Sequence, residues 1–293
     1  MFNRQRILLA LIDRAGGTAS RMALMKWAFI LSHEGKSKVL DSFYQFVPYK
    51  YGPYSFNMVH EIENLMRNGF ITNITKHKCS ITRYAKKEIV KLEYSVIEDL
   101  NQLWRLYGRL PVSRIIEKLY KKYPWYSVNS NLDNKRKPQE IPKAEINVYT
   151  AGYAGLQIDG FLNLLLKAGI ERVIDIRNKP VSRNYGFHKR TFSRLCSLLS
   201  MEYIHLSSLG VDSSKRKNLI SASDYARLLK EYRDNVQENC SDEIYRVIEL
   251  INEKPSVLVC QEEDEQYCHR SILADIISER LSLKIVELRN NHD

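Results

Sequence analysis

Residues 257–277 read VLVCQEEDEQYCHRSILADII. An apolar run stops at Cys260, carboxylates and amides follow, and beyond Cys268-His269-Arg270 the apolar residues return at helical spacing. An apolar run of strand length, a polar turn and an amphipathic helix make one strand–helix unit of a sheet buried on both faces. The alternation continues outward. INVYT (146–150), ERVIDIR (171–177), EYIHLS (202–207) and KIVEL (284–288) read as further strands. Segments 157–169, 189–200, 223–238, 242–253 and 268–281 read as helices. Strands alternating with helices predict an open α/β domain with a mainly parallel sheet.

The first half reads differently. RQRILLALIDRA carries apolar residues at helical spacing and stops at Gly16-Gly17. SRMALMKWAFILSHEG has Ser20 as a cap and Gly35 as a stop, and SFNMVHEIENLMRNGFI has Ser55 as a cap and Gly69 as a stop. FITNITKHKCSITRYAKK then reads as two short strands around a turn. Three helices followed by a two-stranded wing is the order of a winged helix-turn-helix. Residues 88–123 read as two more helices, with Leu103, Trp104 and Leu106 as core. SVNSNLDNKRKPQEIPKAE (127–145) lacks apolar periodicity and holds two prolines, which predicts a linker. The chain thus divides into a winged-helix nucleic-acid-binding domain with extra helices (1–126), a linker (127–145) and an α/β domain (146–293).

The net charge of +11 is unevenly spread. Residues 1–140 hold 24 Lys and Arg against 12 Asp and Glu, a net of +12, whereas 141–293 hold 21 against 22. Such asymmetry points the first half at a polyanion, DNA above all. Lys50, Tyr51 and Tyr54 of VPYKYGPYS, with Lys76 and Lys78 between the wing strands, are the candidate contacts there. In the second half, 176–201 carries six basic residues and no acid, with Tyr185 and Phe187 interleaved. Basic groups among aromatics suit a nucleic-acid strand and a stacked base, so Lys189 and Arg190 join the DNA-contact set. No apolar run reaches the length of a membrane span, and the first residues read as an amphipathic helix rather than a signal peptide. Five scattered cysteines do not make a disulfide scaffold, so a cytoplasmic protein is expected.

Parallel strands put their carboxyl ends on one edge, where ligands bind. Thr150, Gly152 and Tyr153 follow the first predicted strand, Asp175 and Arg177 end the second, and Cys260 to Glu262 end the strand at 256–260. The ordered patches TAGY, VIDIRNKPVSRNYGFH, YIHLSSLG, LVCQEED and CHRSILADII resemble the family called domain of unknown function 488, over about 146–288. The first half looks like the winged-helix extensions found on some such proteins. The resemblance implies a Rossmann-like fold and a polar site made by these motifs, and little chemistry.

Three chemistries compete for that edge. A structural metal site usually has paired Cys-x2–4-Cys ligands, and Cys260 and Cys268 are eight apart without a second pair, so no metal and no cofactor is expected. A redox dithiol usually has Cys-x-x-Cys, also absent. A polar active site remains, with Asp175 and Glu262 as a carboxylate pair that handles a water and a developing sugar cation. Arg177, Arg183, His269 and Arg270 then contact phosphate or base, and Tyr153 and Tyr185 stack. The expected function is a DNA glycosylase that docks duplex DNA, extrudes a damaged or modified base and hydrolyses its N-glycosidic bond, in repair or antiviral defence. The alternatives are a non-enzymatic regulator that senses a nucleotide and a hydrolase of free nucleotides.

Overall fold

The computed structural model describes residues 1–132, 140–216 and 221–289. The chain forms two compact units, Met1–Glu140 and Ile141–Asp293. No helix among the described residues is long and apolar enough to cross a membrane.

In the first unit, helix α1 (Asn3–Arg14) is buried continuously from Ile7 to Ile12, so it forms the centre of its core. Gly16 and Gly17 both take positive φ, 77° and 82°, and turn the chain into strand β1 (Thr18–Ser20). The Ser20 hydroxyl accepts from the Ala23 amide at 3.1 Å and starts α2 (Arg21–Glu34). A hairpin of β2 (Val47–Tyr49) and β3 (Gly52–Tyr54) precedes α3 (Phe56–Arg67), which Ser55 caps in the same way. Strands β4 (Ile71–Thr75) and β5 (Lys78–Ile81) form the wing, and the three-stranded antiparallel sheet has the order β1-β5-β4. This is winged-helix topology. Helices α4 (Arg83–Ile89), α5 (Tyr94–Tyr107) and α6 (Val112–Lys122) follow.

Sequence periodicity misses β1, the β2–β3 hairpin and α4. The hairpin turns on a two-residue loop, Lys50-Tyr51, between the paired Tyr49 and Gly52. Leu103 is buried and Trp104 packs its ring 5.0 Å from that of Trp27, but Leu106, expected in the core, is 50% exposed on the outer face of α5. The predicted linker is also shorter at its start. Asn131 donates its backbone amide to the Lys50 carbonyl at 2.8 Å, and Tyr120 donates to the Ser130 hydroxyl at 2.6 Å, so 127–132 is tied to the first unit. Residues 133–139 of that linker lie outside the described residues.

The second unit contains β6 (Val148–Gly152), α7 (Ile158–Lys167), β7 (Arg172–Asp175), α8 (Lys189–Leu198), β8 (Glu202–His205), α9 (Ala222–Asn239), α10 (Ser241–Glu253), β9 (Ser256–Cys260), α11 (His269–Leu281) and β10 (Ile285–Leu288). Its five-stranded sheet is parallel throughout, in the order β10-β6-β9-β7-β8. The central strands β7 and β9 are buried at every residue, which explains the apolar residues at their middles, Val173-Ile174 and Val257-Leu258-Val259. The topology reverses between β6 and β9. The chain leaves β6 across β9 to reach β7, and leaves β9 across β6 to reach β10. A Rossmann-like sheet binds its ligands at such a switch point.

Candidate functional site

Strand β6 runs two residues later than its sequence pattern indicates. Thr150 and Gly152 therefore belong to the strand, and Gly152 pairs with Cys260. Thr150 is fully inside the sheet, next to Leu258 and Glu287, and does not reach the edge. Gly152 serves the edge through its missing side chain: a Cβ there would collide with the Glu262 carbonyl. The loop after β9 thus folds tightly over the end of β6. Ala154 donates its amide to the Gln261 carbonyl at 2.8 Å. Arg270, fully buried, donates to the carbonyls of Glu262 and Glu263 and pairs with Glu287 at 2.8 Å. Arg270 is therefore the loop's anchor, and its burial removes it from the ligand contacts expected of it.

Asp175 is also committed internally. Its buried carboxylate accepts from Arg177 Nε at 2.8 Å, Arg177 Nη2 at 2.5 Å, the Arg177 amide at 3.1 Å and the Tyr203 hydroxyl at 2.5 Å. The third nitrogen of the fork, Arg177 Nη1, donates to the Tyr153 hydroxyl at 2.8 Å. Burial opposes the Arg177 charge, but hydrogen bonds and charge from Asp175, then Tyr153, raise its pKa above the ordinary value. Burial, then the Asp175 charge, raises that of Tyr203. Tyr153 stacks on Phe187 with ring centres 4.0 Å apart and an interplanar angle of 11°. His205 contacts the Arg177 carbonyl through Nε2 and the Lys189 ammonium through Nδ1, each at 2.8 Å.

Of these groups Tyr153 and Arg177 border a pocket open to solvent, about 510 Å³ with its open mouth, lined also by Asn178, Lys179, Cys260 and His269. Neither Asp175 nor Glu262 is among its lining residues. The facing pair of carboxylates expected from the sequence is thus not what this edge presents. Asp175 is bonded to Arg177, and Glu262 turns toward sulfur. The pocket wall is cationic and aromatic, suited to an anion beside a planar group.

Glu262 Oε2 accepts from the Cys260 thiol at 2.9 Å and from the Cys268 thiol at 3.2 Å. His269 Nδ1 is 3.7 Å from Cys260 Sγ, and one donor atom from each of the four residues lies within 4.8 Å of the others. Burial, then the Cys260 sulfur, pushes the Cys268 thiol well above its ordinary pKa. Paired cysteine knuckles, the usual sequence mark of a zinc site, are absent around Cys260 and Cys268. Here a strand end, a loop and a helix cap bring the donors together instead, because a 3-10 turn at Glu265–Tyr267 folds Cys268 back onto Cys260.

The remaining predicted residues scatter. Arg183, Lys189 and Arg190 are exposed and Tyr185 is half-buried. In the first unit Lys50 and Tyr51 form the exposed hairpin tip and Lys76 and Lys78 the exposed wing. Tyr54 instead packs between Tyr49 and Phe56, with ring centres 5.2 and 5.0 Å away. The exposed residues of α3 include Glu63 and Arg67, so that helix is not itself a basic surface. Exposed lysines stand on the wing, on α4 (Lys86, Lys87) and on α6 (Lys118, Lys121, Lys122). Sequence reasoning missed Tyr203 and His205. Their signal was the strand EYIH itself, whose register sets His205 beside Asp175.

No curated protein and no solved structure matches the chain. The family model described as domain of unknown function DUF488 matches residues 157–277, from the residue before α7 into α11 and including the β9–α11 loop. The C-terminal half of this chain is therefore a member of the DUF488 family.

Proposed function

We propose that the chain is a DNA-docking enzyme whose α/β unit receives an extruded nucleotide and hydrolyses the N-glycosidic bond of a damaged or modified base. The observation that carries this reading is the cationic, aromatic pocket at the switch point, with Arg177 and Lys179 in its wall. Arg177 holds the phosphate, and Lys179 adds charge. Asp175 is a positioning residue that acts through Arg177. Water activation falls to the Cys260–Glu262–Cys268–His269 group, of which Cys260 and His269 reach the pocket wall. The basic first unit supplies the affinity for duplex, and its wing lysines meet phosphate. The protein acts in the cytoplasm, in repair or in defence against modified viral DNA.

The test is incubation of the purified chain with normal and base-modified duplexes, followed by mass spectrometry of released bases. Arg177→Lys keeps the charge but loses the fork, and should lower release about a hundredfold. Release of no base from any duplex, with nucleotide binding retained, leaves the second reading: a regulator that senses a nucleotide. One observation favours that alternative, namely that neither carboxylate lines the pocket.

A further inference from the structure

The Cys260–Glu262–Cys268–His269 group, to which the proposed function gives water activation, also has a ligand chemistry that does not rest on that reading. We propose that Cys260, Glu262, Cys268 and His269 form a resident binding site for a divalent ion of the zinc class.

The donor set comes first. Two thiols, an imidazole and a carboxylate are the ligand types that zinc takes, and the sulfurs select against magnesium and calcium. Four ligands around tetrahedral zinc stand about 3.5 Å from one another, given its bond lengths. The separations here are 2.9, 3.2 and 3.7 Å, and all four donor atoms fall within 4.8 Å of one another. The Glu262 carboxylate is only half-buried, so it has room to shift outward onto an ion.

The imidazole is oriented as a ligand. His269 Nε2 lies 3.3 Å from the Ile176 carbonyl, which can only accept. The proton therefore sits on Nε2, and Nδ1, facing Cys260 Sγ, carries the lone pair. A backbone carbonyl on the far nitrogen is the usual outer partner of a metal-bound histidine. The Tyr232 ring packs edge-on against the imidazole at 5.1 Å.

The scaffold is stiff where ligands need it. Cys260 ends a buried strand, Cys268 caps a thirteen-residue helix, and His269 begins it. Arg270 clamps the carbonyls on either side of the Glu262–Glu263 peptide, and Gly152 lets that loop lie against β6. Binding displaces a proton from each thiol, so it strengthens as pH rises. Cys260 and His269 open on the pocket, which gives the ion an entry path.

The experiment uses the full chain, purified without chelator, and reads metal rather than turnover. Elemental analysis should find about one zinc per chain. After chelation, cobalt should produce a sulfur-to-cobalt charge-transfer band and the visible bands of tetrahedral cobalt, and zinc should bleach both. Cys260→Ser and Cys268→Ser should each weaken the charge-transfer band. Their affinity should fall by at least the ~10–100-fold that loss of an outer partner costs. Glu262→Gln, least disturbing to the fold, should weaken binding but keep the charge-transfer band. Cys196→Ser, a buried cysteine outside the cluster, should change neither. Substoichiometric metal with no charge-transfer band in the folded wild type would overturn the proposal. So would a Cys260–Cys268 disulfide in the purified chain, or equal cobalt spectra from wild type and both serine variants. These readouts are separate from base release, so the metal site and the glycosylase reading fail independently.

Discussion

Arg177 bridges Asp175 and Tyr153: its Nε donates to the carboxylate and its Nη1 to the phenol, both at 2.8 Å. Two residues apart in sequence, Asp175 and Arg177 are both nearly sealed from solvent, with side-chain exposures of 0% and 7%. An isolated pair of this kind is weak evidence for stability, because desolvation offsets the attraction. Removing one partner is another matter. Asp175→Asn leaves a buried guanidinium uncompensated and should cost about 3–5 kcal/mol. Tyr203→Phe removes one hydrogen bond to the carboxylate and should cost about 1.5–3 kcal/mol. Urea unfolding of the full chain, followed by far-ultraviolet circular dichroism, measures both. An Asp175→Asn loss below about 1 kcal/mol would show that the pair is not the anchor described.

Gly152→Ala tests the loop. The added methyl would meet the Glu262 carbonyl, a backbone atom that cannot swing aside. The loop must move, and the Glu262 carboxylate with it. The substitution should therefore change thiol reactivity at Cys260 and Cys268 while leaving the far end of the sheet intact. Alkylation rates of the individual cysteines, read by mass spectrometry, check this. Unchanged rates would mean that the loop has slack.

Lys26 makes the first unit sensitive to pH. Its side chain is buried, its ammonium donates to the Pro53 carbonyl at 2.9 Å, and burial lowers its pKa from 10.5 to about 7. The folded state disfavours the charged form. Its stabilising contribution is present above the unfolded pKa of 10.5 and is lost as pH falls through about 7. At ~1.36 kcal/mol per pKa unit the full span is on the order of 5 kcal/mol. Lys26→Met should melt higher than wild type at pH 7, and the gap should narrow toward pH 10. The three tryptophans, Trp27, Trp104 and Trp125, all lie in the first unit, so their fluorescence reports its transition. A gap that does not depend on pH would contradict the lowered pKa.

The wing should carry part of the DNA affinity. Lys76 and Lys78 are exposed on the β4–β5 hairpin. If each neutralises a phosphate, Lys76→Ala and Lys78→Ala should each lower the slope of log affinity against log salt by about 0.9. Fluorescence anisotropy with a duplex, over a range of salt, measures the slope. Equal slopes for wild type and both variants would remove the wing from the contact.

Much of the architecture is local and so legible in the sequence. Apolar runs and helical periodicity place the described strands and α-helices of the α/β unit to within a few residues, because each element must bury one face or both. Serine caps and glycine stops likewise mark the winged helix, because Ser20 and Ser55 satisfy amides of their own helices. The three-residue strands β1, β2 and β3 escape such reading, since so short a run has no period. Their existence depends on a partner strand elsewhere in the chain.

The site divides in the same way. The sequence alone determines that Gly152, Asp175 and Cys260 come near one edge, since parallel strands end together. Only the tertiary structure decides what they do there. Asp175 and Glu262 look alike in sequence, both acids near the end of a buried strand. One is saturated by Arg177 and Tyr203, and the other faces two thiols. Cys260 and Cys268 look too far apart to act together until a turn, an arginine clamp and a missing side chain at Gly152 fold the loop back. The reason is physical. Periodicity records burial, which each residue carries locally, whereas hydrogen-bond partners and ligand geometry depend on which distant backbone atoms are close enough to hold a loop in place.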